Sequence, residues 1–234
     1  MKNTSLKFIG TGSCFNTKMG NTSAYYYNET TKHLFLIDCG ETVFSDLRYS
    51  KILNEAKTID ILITHLHSDH AGSLESLIYF CAYVKNIVPT VIFPDKQQIN
   101  SHLIRVSKEQ YSFQTPDKYT SYQIVAIPQQ HIPNLLAYGY IILLNGKYIF
   151  YSGDSLTIPN DILKLFFKGT ISHIYQDVTK FENSVHLYIK DLAVKIPEEM
   201  RTKVTCMHFD DGETLRLAQE LNFKVARKVY LQKI

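Results

Sequence analysis

The chain has no tryptophan, no Cys-x-x-C pair, no long apolar run and no block of like charge, and each absence closes off a class of protein. Its four cysteines, Cys14, Cys39, Cys81 and Cys206, lie far apart, which argues against a disulfide framework or a thiolate zinc site. A reducing, cytoplasmic setting is expected. The longest apolar stretches, such as Tyr138 to Leu144, fall far short of the ~20 residues a membrane helix needs. The start, Met1-Lys2-Asn3-Thr4-Ser5, leads straight into a strand-like stretch, so no export signal is expected. A formal charge of +3 with the signs interspersed is too weak to argue for nucleic acid by itself. No Gly-x-Ser-x-Gly elbow or Walker loop offers a serine nucleophile or a phosphate cradle.

What remains is an ordinary globular composition, 45% hydrophobic and 20% charged, which excludes a disordered chain or a coiled coil. Short apolar runs at Leu6 to Ile9, Ser23 to Tyr27 and Leu34 to Ile37 predict strands, each stopped by turn-forming residues. Helical spacing then begins at Val43, Leu47, Ile52 and Leu53, followed by a strand at Ile59 to Ile63 and an amphipathic helix over Ser73 to Val84. Beyond it, Val91 to Phe93 predicts a strand, Lys96 to Val106 a helix and Gln123 to Ile127 a strand. Tyr138 to Leu144 and Tyr148 to Tyr151 flank Asn145-Gly146, a dipeptide suited to a two-residue hairpin turn. Helices around Asp161 to Phe167, Leu187 to Ile196 and Gly212 to Leu221 then alternate with strands at Ile171 to Gln176, Lys203 to Met207 and Val225 to Leu231. With no linker or repeat, residues 1–234 read as one α/β domain, two sheets packed between helices.

The segment Thr64-His65-Leu66-His67-Ser68-Asp69-His70 directly follows a predicted strand and concentrates three imidazoles and a carboxylate. Buried histidines without partners are costly, and three together repel one another when protonated, so a folded chain keeps them where something neutralises the set. A divalent metal does so. This donor set suits zinc, and manganese, iron or nickel accept the same ligands.

The segment resembles the metal motif H-x-H-x-D-H of the metallo-β-lactamase superfamily, which stands at a strand end before a helix. The resemblance implies a four-layer αββα sandwich and further ligands at later strand ends: His131, Asp154 in Tyr-Ser-Gly-Asp-Ser, and His208. It implies two divalent metal ions, zinc being expected and manganese acceptable. His65, His67 and His131 would bind one and Asp69, His70 and His208 the other, with Asp154 bridging. Such a pair shares a hydroxide that serves as nucleophile, and Asp69 is placed to orient it and accept its proton.

Within the superfamily, Gly10-Thr11-Gly12-Ser13, Ile37-Asp38-Cys39-Gly40-Glu41 and the histidine segment resemble the ribonuclease Z type phosphodiesterases. That branch carries His-Glu-Ala-Thr and a separate His before the last ligand, and Gln176-Asp177-Val178-Thr179 and His186 occupy those places. A carboxylate against an imidazole raises its pKa and fixes its orientation, so His186 is expected as general acid with Asp177 as its orienter. The stretch from His131 to Asp154 holds one hairpin and leaves no room for the basic arm with which tRNA-processing members grip RNA. The expected substrate is therefore a small phosphodiester, a cyclic nucleotide among them, hydrolysed by a homodimer. The alternatives are RNA processing, or a lactone or thioester hydrolase on the same metals. Tyr25-Tyr26-Tyr27, Tyr79-Phe80 and Tyr111-Ser112-Phe113 are aromatic groups able to stack a base or pack sheets. His33, His102 and His173 fit no motif position and read as structural or surface residues.

Overall fold

The computed structural model of the protein describes residues 6–233, so the start read as lacking an export signal, residues 1–5, and Ile234 lie outside it. Among the described residues, twelve strands form two six-stranded sheets. The first contains β1 (Lys7–Gly10), β2 (Ser23–Asn28), β3 (His33–Ile37), β4 (Thr58–Leu62), β5 (Thr90–Ile92) and β6 (Ser112–Gln114), ordered as in the sequence. β1, β2 and β3 pair antiparallel, and β3 through β6 pair parallel. The second sheet repeats this plan with β7 (Ile124–Gln129), β8 (Ala137–Leu144), β9 (Lys147–Tyr151), β10 (Ile171–Asp177), β11 (Val204–Met207) and β12 (Lys224–Val225). There β7, β8 and β9 are antiparallel, and β9 through β12 are parallel.

Parallel strands need crossover connections, and short helices supply them. They are α1 (Val43–Leu47), α2 (Lys51–Glu55), α3 (Ser68–Ala71), α4 (Leu74–Phe80), α5 (Lys96–His102), α6 (Asn160–Phe167), α7 (Ile189–Lys195) and α8 (Gly212–Glu220). None of these is long and apolar enough to cross a membrane.

Side chains on a strand alternate between faces, and in β3 both faces are buried. Leu34 and Leu36 join Val43, Leu47, Leu74, Leu77 and Ile78 in a core between the first sheet and its helices. Phe35 and Ile37 join Tyr140, Ile142 and Phe150 in the core between the sheets, which extends to Ile162, Phe166 and Leu192 of the outer helices. Helix, sheet, sheet and helix thus form the four expected layers.

Three local readings differ from the sequence. The predicted strand Val225 to Leu231 shrinks to β12, because the chain then leaves one sheet for the other: Ala226 N–H donates to Cys206 O at 2.8 Å and Val229 N–H to Phe8 O at 2.8 Å. The tail ties the sheets together instead of extending one. β6 is a strand where none was expected, a three-residue edge with Phe113 as its apolar member. The helix expected over Ser73 to Val84 ends as a π-helical turn, Cys81–Lys85, closed by Asn86 at φ +52°.

Candidate dinuclear metal centre

The C-terminal ends of β3, β4, β7, β9, β10 and β11 meet along one edge of the sandwich, and the residues just beyond them converge. Ligand-bearing loops at the C-terminal edge of parallel strands are the general pattern for α/β sheets. His65 and His67 follow β4, His131 follows β7, Asp154 follows β9 and His208 follows β11. Asp69 and His70 lie within α3, a single helical turn.

Three groups result, of which the first two, His65, His67, His131 and Asp154, and Asp69, His70, Asp154 and His208, hold the expected ligands and the third is Asp154, Asp177, His186 and His208; in each, one donor atom per residue lies within 4.8 Å of all the others. In the first, His65 Nε2 lies 3.0 Å from His67 Nδ1 and His131 Nε2 3.3 Å from the same atom. Asp154 Oδ2 is 3.8 Å from both His65 Nε2 and His131 Nε2. In the second, Asp69 Oδ2 is 3.3 Å from His70 Nε2 and from His208 Nε2, and Asp154 Oδ1 is 3.2 and 3.4 Å from them. Four tetrahedral donors about 2.1 Å from one ion stand about 3.4 Å apart, so both groups have the spacing of a metal's ligand shell. One carboxylate oxygen of Asp154 faces each group. His70 Nε2 and Asp154 Oδ1 are buried and have no hydrogen-bond partner. A bound cation is the partner such atoms lack. The clusters therefore fit a dinuclear metal site.

A sequence model of the family described as anti-Pycsar protein Apyc1 matches residues 4–229. The chain belongs to that family. An anti-Pycsar protein Apyc1 from Paenibacillus harenae is 27% identical over 224 residues, covering 88% of this chain and 90% of its own. Among solved structures, YhfI of Bacillus subtilis, a metallo-β-lactamase fold protein, superposes with a TM-score of 0.72 at 14% identity, covering 94% of each chain. Human tRNase Z, short form, superposes with a TM-score of 0.66 at 16% identity over 98% of this chain and 97% of its own. The fold is the metallo-β-lactamase fold, as the histidine segment led one to expect.

Asp38 of this Apyc1-family chain belongs to the Ile37-Asp38-Cys39-Gly40-Glu41 segment, and its role is visible only in the fold. Fully buried after β3, it accepts from Thr64 N at 2.7 Å, from Thr64 Oγ1 at 2.8 Å and from His70 Nδ1 at 2.9 Å. The last bond holds the Nδ1 proton; burial lowers the His70 pKa, but the charges of Asp154, Asp38 and Asp69 outweigh it and raise it well above the ordinary value, so Nε2 carries a proton that a bound cation would displace. Asp38 and His208 both sit in the left-handed region, at φ +63° and +62°, where a non-glycine residue is strained. Backbone bonds from Cys39 N to His70 O at 2.7 Å and from Glu41 N to Ser68 O at 3.2 Å lock the post-β3 loop against α3.

Burial, reinforced by the charge of His70, pulls the His65 pKa well below its ordinary value, and burial also lowers His67 and His131. All three are thereby kept as neutral donors. Burial pushes the Asp154 carboxyl up, but the neighbouring His208 and His70 outweigh it and hold it well below the usual range, so it stays ionised.

His186 and Asp177 come together as the sequence suggested, with Nδ1 2.8 Å from Oδ2. Asp177 ends β10, fully buried, and its other oxygen accepts from Gln176 Nε2 at 2.7 Å and Ser155 Oγ at 3.2 Å. Burial depresses the His186 pKa, yet the hydrogen bond and charge of Asp177 prevail and push it up to about 9. The imidazole is half-buried and lines a cavity of about 370 Å³ with Ser13, Cys14, Phe15, His67, Asp69 and His208 among its walls.

The remaining histidines lie away from the cluster. His33 pairs with Asp60 at 2.8 Å, His102 Nε2 approaches Ala71 O at 3.3 Å and His173 Nε2 approaches Thr205 Oγ1 at 2.8 Å. The aromatic groups named from sequence do not reach the cavity either. Tyr25 is core and Tyr26 packs edge-on against Tyr122, while Tyr79 and Phe80 lean on Tyr83 and Phe44 and Phe113 packs at β6. Phe15, which sequence reasoning passed over, stands there instead.

Proposed function

We propose that the chain hydrolyses a cyclic nucleotide at a dinuclear zinc centre, with His65, His67 and His131 on one ion, Asp69, His70 and His208 on the other, and Asp154 between them. The observation that carries this reading is the shared Asp154 carboxylate, one oxygen facing each group, beside the His186–Asp177 pair. Membership of a family described as anti-Pycsar supports a cyclic nucleotide signal as the substrate. The cavity, about 370 Å³, suits a mononucleotide, since small-molecule sites run from about 300 to 1,000 Å³.

Bound metal supplies Lewis acidity toward the phosphoryl oxygens and makes water acidic enough to attack at neutral pH. The chain's residues handle the protons. Asp69 orients the attacking water and takes one proton from it. Asp177 holds the Nδ1 proton of His186, leaving the Nε2 proton for the sugar oxygen that departs from phosphorus. One water is consumed, one P–O bond breaks and a nucleoside monophosphate results. A thioester hydrolase would have less use for this acid, because its thiolate departs readily without a proton. The same reading includes a homodimer of the ribonuclease Z type lacking the RNA-gripping arm.

The test is a substrate panel for protein loaded in turn with zinc and manganese: cyclic mononucleotides, bis-p-nitrophenyl phosphate, a lactone, a thioester and a precursor tRNA. Turnover of the two phosphodiester classes, best with zinc and lost in an Asp154→Ala variant, is expected. Activity confined to the acyl substrates, or to the tRNA, would overturn the proposal. Sedimentation of the same preparation reads the oligomeric state.

A further inference from the structure

We infer that Phe15 is the platform on which the base of the substrate stacks, and so a specificity-determining residue of this site; the inference rests on the cyclic nucleotide reading above. The residue is 96% exposed, although phenylalanine is among the residues most readily buried. A lone exposed hydrophobe is ordinary on a protein surface, so position and rigidity have to carry the argument.

Position comes first. Phe15 lines the same cavity as His67, Asp69, His131, Asp154, His186 and His208. Among the residues described there, it is the one aromatic that is not an imidazole. The phosphodiester must lie against the His and Asp cluster, and the base projects from the same small molecule. Val185 and Cys14 are the apolar and weakly polar neighbours on that wall.

Rigidity comes second. Phe15 sits inside a tight turn closed by Asn16 N donating to Ser13 O at 3.0 Å. Both ends of the turn are pinned to a single carbonyl: Ser13 N and Asn16 Nδ2 each donate to Phe209 O at 3.0 Å. Phe209 adjoins His208 and in turn donates its N–H to Thr11 O at 2.8 Å. These bonds fix the backbone of the turn and so the point from which the Phe15 ring projects, leaving the ring to turn about its own side-chain bonds. The arrangement requires glycine at position 12, since a Cβ there would lie 2.5 Å from Asn16 O. The root of an aromatic side chain is thus held at the mouth of the metal pocket by the backbone that positions a metal-facing histidine. Pre-ordering of this kind lowers the entropy lost on binding.

The experiment measures kcat and KM for a 3′,5′-cyclic mononucleotide and for ribose 3′,5′-cyclic phosphate, which lacks a base, in wild type, Phe15→Ala and Phe15→Trp. Stacking on an aromatic ring accounts for about a 5- to 160-fold change in affinity per base. Phe15→Ala is expected to raise KM for the nucleotide about 10-fold with kcat nearly unchanged, and to leave KM for the base-less compound where it was. Phe15→Trp should restore the nucleotide KM. Equal changes on both substrates, no change on either, or a loss that tracks dissociation of an oligomer would overturn the platform. A wild type inert toward cyclic nucleotides would overturn both this inference and the activity proposed above, whereas an active wild type with an indifferent Phe15→Ala overturns this one alone.

Discussion

Asp38 and Asp177 perform matching tasks on opposite flanks of the site, each fully buried and each holding the Nδ1 side of an imidazole, His70 in one case and His186 in the other. They act on different chemistry. Replacing an outer partner of a metal-ligating histidine weakens metal binding by about 10- to 100-fold. Asp38→Asn should therefore loosen one of two zinc equivalents by that factor in a titration against a chromophoric chelator; unchanged affinity for both ions would mean that Asp38 serves only the fold. His186→Ala should keep both metals and lower kcat by about 10²- to 10⁴-fold. The loss should be smaller on bis-p-nitrophenyl phosphate, whose leaving group needs little protonation, than on a cyclic nucleotide. Equal losses on the two substrates, or loss of metal, would remove His186 from the acid role. The residues brought together here were legible because imidazoles and carboxylates at successive strand ends have few bland explanations. Asp38, Thr64 and Phe15 were not, because their significance lies in what they face, and a hydrogen bond across the fold leaves no spacing in the sequence.

Two glycines separate the demands of local conformation from those of close packing between elements. Gly146, in the turn between β8 and β9, has φ +77°, and a Cβ added there would meet no atom within 4 Å. Gly146→Ala thus meets backbone strain alone, about 1 kcal/mol, and should lower Tm by roughly 2–4 °C for a chain of this size. Activity should be untouched. Gly40 has an ordinary backbone conformation, but a Cβ there would lie 1.9 Å from Asp69 O. Gly40→Ala must push α3 away and should lower both Tm and metal content. If metal content and turnover survive that substitution, the contact between the post-β3 loop and α3 does not position Asp69 and His70. At this scale the hairpin, the long strands and most helices were readable from periodicity and turn residues. What escaped were α3, a turn made of the site residues themselves, and β6, three residues too short to alternate. The end of the second sheet was misread because Val225 to Leu231 has strand-like composition while its partners belong to two different sheets.

Across the whole molecule, one groove of about 780 Å³ opens where β1 of the first sheet meets β9 to β12 of the second, and Lys7, Lys147, Lys224 and Arg227 line it with no carboxylate among the described residues. His173 lies in this groove, its Nε2 2.8 Å from Thr205 Oγ1 and its ring 4.8 Å from that of Tyr175. Burial, then the charge of Lys224, moves its pKa down from the ordinary 6.5 to about 4. The folded protein therefore keeps this imidazole neutral. The unfolded chain begins to bind a proton there below about pH 6.5, so the folded state loses stability as the pH falls from there toward about 4 and loses no more below it, where both states are protonated. Other groups titrate in the same range, so the contribution of His173 is the difference between wild type and a variant that cannot ionise. His173→Gln keeps a polar partner for Thr205 and should show a shallower fall in urea midpoint between pH 7 and pH 4.5, with the two proteins diverging most at the acid end. Parallel midpoint curves for the two proteins would show that the junction between the sheets is held without any contribution from a neutral His173. Proton competition at the metal ligands acts alike on both proteins and cancels in their difference, since His173 stands toward the opposite end of β10 from Asp177.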